Sequence, residues 1–117
     1  MSLIKEILNE KSIEREKINH FTRMVSSCFD DYLLEIKEYF KFVEYDAQKV
    51  NLNIDYCMAD FGLSLKNKGE GRFTLYHGTN SCITKSQDLE ELNINMSQTE
   101  VKAKVEKSIK WLLKSIL

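Results

Sequence analysis

The sequence predicts an α+β fold, a two-layer sandwich in which two amphipathic helices cover one face of an antiparallel β-meander. Three observations carry this expectation. Apolar residues recur in steps of three and four from Ile18 to Val43, the period falls to two after Val50, and a helical period returns behind a capping box at Ser97-Gln98-Thr99-Glu100.

The first element is a long helix expected over residues 2–44. At 100° per residue Ile18, Phe21, Val25, Cys28, Phe29, Tyr32, Ile36, Tyr39, Phe40 and Val43 share one sector, with Asn19, Arg23, Ser26, Asp30, Lys37, Lys41 and Glu44 opposite. Leu3, Ile4, Ile7 and Leu8 make a shorter stripe upstream. Between them, Asn9 to Lys17 holds Ile13 as its one apolar residue, so a break is expected near residues 9–13, with Ser12 capping a second helix. From Met24 and Phe42 round to Leu33 the apolar sector spans about half the circumference, wider than the roughly 100° needed to pack on a sheet. Either the sheet and the last helix cover it together, or another chain does.

The meander is expected to have three to four strands. Val50, Leu52, Ile54 and Tyr56 alternate with Asn51, Asn53 and Asp55, and Phe61, Leu63 and Leu65 resume the alternation after an irregularity at Cys57-Met58-Ala59. Asn67-Lys68-Gly69-Glu70-Gly71 reads as a hairpin turn, because glycine supplies positive φ. Arg72 to His77 is the returning strand. Gly78 to Ser81 turns again, Cys82 to Lys85 reads as a short strand, and Leu92, Ile94 and Met96 as an edge strand. In the last helix Val101, Val105, Ile109, Leu112, Leu113 and Ile116 share one face, which is expected to lie on the same side of the sheet as the first helix.

The 117 residues form one domain, 1–117, in which 17 Lys and Arg oppose 18 Asp and Glu. That balance excludes the strong basic field of a nucleic-acid binder, and neither a recognition helix nor a stacking sheet is visible. Apolar runs are far shorter than the about 20 residues of a membrane helix, and the start of the chain lacks a signal-peptide core, so the expected location is cytoplasmic. Cys28, Cys57 and Cys82 are odd in number and widely spaced, which suits reduced thiols. No closely spaced ligand pair suggests structural zinc. His20 and Cys28 lie about 12 Å apart along a helix and cannot share an ion, while Cys57, His77 and Cys82 could meet across a sheet. No cofactor is expected.

Leu75-Tyr76-His77-Gly78-Thr79 is similar to the Tyr-His-Gly-Thr strand end of ADP-ribosyltransferases and related enzymes, in which the histidine holds the nicotinamide ribose. The resemblance covers about five residues. In that family the motif comes early and a long segment follows to complete the cleft, whereas here the remainder is short and ends in a helix. His77 therefore reads as a polar residue at a strand end. For hydrolysis, only two histidines are available as bases, and Asp30 and Asp31 point about 100° apart on their helix. The chain reads as non-enzymatic.

The last segment carries an excess of lysine. Lys104, Lys107, Lys110 and Lys114 lie opposite its apolar stripe, and Trp111 projects beside Lys104, Lys107 and Lys114, roughly 130° from the stripe centre. It either folds over the sheet margin along the lysine stems or anchors an interface. The expectation is a non-catalytic intracellular protein-binding module, of the toxin-immunity or phage-inhibitor kind. It would act by occluding another protein's surface, with Trp111, Lys104, Lys107 and Lys114 in contact. A homodimeric secretion chaperone or structural subunit is the second class, and an enzyme built on His77 the third.

Overall fold

A computed structural model describes residues 2–117. Helix α1 runs unbroken over Leu3–Tyr39, 37 residues. The break expected near residues 9–13 does not occur. The first glycine is Gly62 and the chain has no proline. The polar stretch consists mostly of Glu, Lys and Arg, which are strong helix formers. Its polarity marks exposure.

The helix also ends earlier than expected. Phe40 leaves it with extended backbone while its N–H donates to Ile36 O at 2.9 Å. Phe42–Asp46 is then strand β1, not the helix's last turn. Val43 satisfies both periods: it continues the helical stripe, yet with Tyr45 it also alternates against Phe42, Glu44 and Asp46.

Strands β2 (Asn51–Tyr56), β3 (Ala59–Gly69), β4 (Arg72–Thr79) and β5 (Gln87–Asn93) complete the sheet. Its order is β1-β2-β3-β4-β5, antiparallel throughout. There are five strands where three to four were expected, β1 being the addition. Cys82 to Lys85 is not a strand but part of the loop between β4 and β5, where Ile83 faces solvent. The edge strand ends at Asn93, so Ile94 and Met96 lie beyond it, packed against the core from the following turn. Helix α2 covers Gln98–Ile116, and both halves of its capping box form.

Register assembles the core. Leu52 pairs with Leu63 and Leu63 with His77, while Ile54 pairs with Phe61 and Phe73 with Leu92. All of these side chains occupy one face of the pleat and are buried. Against that face α2 sets Val101, Val105, Ile109 and Leu112, and α1 sets Phe21, Val25, Cys28, Phe29 and Ile36. The Phe21 and Phe73 rings lie 4.7 Å apart, and Phe29 stacks on Tyr45 at 5.5 Å. Most of the wide apolar sector of α1 is thus covered from within the chain over its C-terminal half, Tyr39 at its end remaining 76% exposed. The opposite sheet face stays open, with the Tyr76 ring lying over Gly78 and Lys66 Nζ 3.4 Å from the centre of that ring.

The connections sort to two ends. Residues 47–50, 70–71 and 94–97 lie at the end where α1 enters the body, and residues 57–58, 80–86 and the C-terminus at the other. No described helix is long and apolar enough to cross a membrane.

Candidate functional site

Trp111 folds over the margin of the sheet. It is half-buried, and its ring meets His77 edge-on with centroids 4.8 Å apart. Lys104 and Lys107 turn toward β5, placing Nζ 3.7 and 3.3 Å from Glu90 Oε1. Glu90 pairs with Leu75, an inward register position, and its side chain is only 14% exposed. A carboxylate held that close to the core needs cations, and the two lysines supply them. Lys114 is exposed in the last turn of α2. The four residues singled out in the sequence therefore share one side of α2, but three of them make contacts within the fold.

His77 is fully buried. Its Nδ1 lies 2.9 Å from Gly62 O, and its Nε2 3.2 Å from Thr84 Oγ1. A carbonyl only accepts, so Nδ1 carries the proton and donates to Gly62, while Nε2 of the neutral ring accepts from the threonine hydroxyl. Burial pushes the pKa below its ordinary value of 6.5, and the Gly62 carbonyl pulls weakly the other way. With Trp111 at its edge and Phe61 stacked at 6.5 Å, the imidazole is an internal tie between β4, β3 and the loop over residues 80–86. A substrate would have to displace that packing to reach it.

The cysteines are dispersed. Cys28 is buried on α1, and burial raises its thiol pKa. Cys57 and Cys82 line a shallow groove with Met58, Ile83 and Ile116, whereas His77 lies inside the core. Among the described residues no group of three His, Cys, Asp or Glu side chains is placed to hold a metal ion.

The most distinctive surface is one the sequence reading divided. Residues 2–17 are exposed without interruption, and Ile18 is the first half-buried position. Helix α1 therefore carries an arm, residues 3–17, about 22 Å long at 1.5 Å per residue. It accounts for much of the 60 Å long axis of a body otherwise 27 × 21 Å. Leu3 is 73% exposed, Ile4 69%, Ile7 50% and Leu8 61%. On the helical wheel they align with the half-buried Ile18 and the buried Val25 and Phe29, so the tip of the arm presents a core-type face to solvent, separated from the body by Lys11 and Glu14 on the same face. Sequence periodicity showed this stripe, but the expected break detached it from the long helix.

A smaller apolar cluster caps the far end. Phe42, Tyr56, Met58 and Ile83 are exposed there, and Cys57 and Met58 form the β2–β3 turn with φ of 51° and 65°.

No protein family, curated protein or solved structure matches this chain.

Proposed function

We propose that the protein is a non-catalytic protein-binding module whose docking element is the α1 arm. The observation that carries this reading is the exposure of Leu3, Ile4, Ile7 and Leu8 on a projecting helix. A free helix of this length is marginal in water, and four aligned aliphatics gain by burial, each contributing about 1.5–3 kcal/mol when fully covered. Helix-in-groove recognition reads anchors at this i, i+3, i+4 spacing. The neutral, enclosed His77 supports a structural role for the residue on which the enzyme reading was built. The lysine side of α2, with Trp111 at its margin, serves as the flank of the body that a partner meets beyond the arm. An inhibitor or immunity protein would use such surfaces by occlusion.

The test is site-specific photo-crosslinking in the native host. A photoreactive residue at Ile7 should give a covalent protein adduct. The same residue at Asn9, about 180° from the stripe centre, should give little. Absence of any adduct from position 7 overturns the reading.

A further inference from the structure

We infer that Cys57 and Cys82 form a thiol–disulfide site, in which one intramolecular bond ties the β4–β5 loop to the β2–β3 turn. The site is independent of the arm, which lies at the opposite end of the body. Both thiols are exposed, and both line one groove of about 370 Å³. Phe61 and Ile116 supply apolar wall there. A sulfur pair suits such a wall, since cysteine behaves as a small hydrophobe.

The sheet and its hydrogen bonds hold the two segments side by side. The β3–β4 ladder ends with Phe61 opposite Thr79. Just beyond it, Asp60 N donates to Asn80 Oδ1 at 2.7 Å, and Thr79 Oγ1 donates to Asp60 O at 2.7 Å. Along the chain Cys57 stands three residues from that clamp and Cys82 two. A disulfide needs Cα atoms about 4.4–6.8 Å apart. The turn supplies the fixed partner, because Cys57 is held at φ 51° in the tight connection of β2 to β3. The loop supplies the adjustment. Residues 80–86 belong to no strand, so Cys82 shifts between the anchors at Asn80 and Thr84 without breaking a ladder bond.

The third cysteine does not compete. Cys28 is buried on α1, and burial raises its thiol pKa, which leaves it little thiolate for exchange. One internal pairing is therefore open to the chain. With oxidised glutathione as the oxidant the chemistry balances. The Cys82 thiolate attacks one glutathione sulfur, forming a mixed disulfide and releasing a glutathione thiolate. The Cys57 thiolate then attacks the Cys82 sulfur and releases the second. Two cysteine thiols lose two electrons and two protons, and the glutathione disulfide takes them up to become two thiols. The product narrows the groove and fixes the loop whose Thr84 hydroxyl meets His77.

Incubation of the full chain with excess oxidised glutathione, followed by intact mass and peptide mapping, tests the inference. The expected product is lighter by two hydrogens, with Cys57 linked to Cys82 and Cys28 free. Cys57→Ser should stop at a single glutathione adduct on Cys82. The linked chain should melt roughly 10 °C above the reduced one, because the bond closes a loop of about 25 residues. Dithiothreitol should return the lower midpoint, and the midpoint of Cys57→Ser should not rise with oxidant. A chain that ends with glutathione on each exposed cysteine overturns the inference, as does one that stays reduced or links to a second copy. A linked chain that melts no higher than the reduced one overturns the tie between loop and turn.

Discussion

Trp111→Ala distinguishes a residue of the fold from a residue of an interface. The indole is half-buried and sits edge-on to His77 at 4.8 Å. Truncating a fully buried tryptophan costs about 3–5 kcal/mol, and a half-buried one about half of that. The lost aromatic pair adds roughly 0.5–1.5 kcal/mol. The expected destabilisation is about 2–4 kcal/mol. For a domain of this size each kcal/mol moves the melting temperature by about 4 °C, so the midpoint should fall by roughly 8–16 °C. The indole also shields the imidazole from water, and burial is what depresses the His77 pKa. In the variant that pKa should therefore move back toward its ordinary value, which an NMR titration of the imidazole reads directly. Calorimetry supplies the midpoint. A variant that melts within about 2 °C of the parent, with an unmoved His77 titration, would refute the packing role and return Trp111 to the candidate interface.

Two further outcomes follow from the same geometry. The folded-state pKa of His77 lies below its unfolded value, so the unfolded chain takes up the proton first. The stability this contributes is fully present above about pH 6.5 and is lost as pH falls through the depressed folded-state value. The urea midpoint should therefore be lower at pH 5 than at pH 7.5, and His77→Gln should flatten that part of the profile; an unchanged pH dependence in the variant contradicts the assignment. At the β2–β3 turn, Met58 has φ of 65° and is fully exposed. Met58→Gly should relieve left-handed strain and raise stability by about 1 kcal/mol, seen as a higher melting temperature; a lower one would show that the methionine makes a contact outweighing the strain.

The parts of the fold legible in the sequence were those where one period stood alone. Ser97 and Glu100 form the reciprocal cap their spacing predicts, and Val101, Val105, Ile109 and Leu112 are buried as the α2 stripe requires. The alternation from Asn51 to Tyr56 is a strand for the same reason. Legibility failed where two readings fitted the same residues. Val43 extended the helical stripe and hid β1, because helix and strand periods coincide over so short a run. Cys82 to Lys85 has strand-like composition but no pairing partner, and the Thr84 hydroxyl on His77 fixes the loop instead.

The candidate surface failed differently. Glu10, Lys11, Glu14 and Arg15 interrupt the apolar stripe without ending the helix, because Glu, Lys and Arg are strong helix formers. A gap in the stripe marks where the helix has left its own body. Likewise the wheel placed Trp111 correctly on the margin of α2, but angle alone could not say that the ring folds back toward His77. That contact depends on the β3–β4 register, which brings His77 opposite Leu63.

The most direct test of the exposed arm is amide hydrogen exchange of the purified protein over residues 3–17. Arm amides should exchange nearly as fast as those of a frayed helix, while amides of β3 and β4 stay protected. Arm amides protected as strongly as those of β3 and β4 would contradict the account.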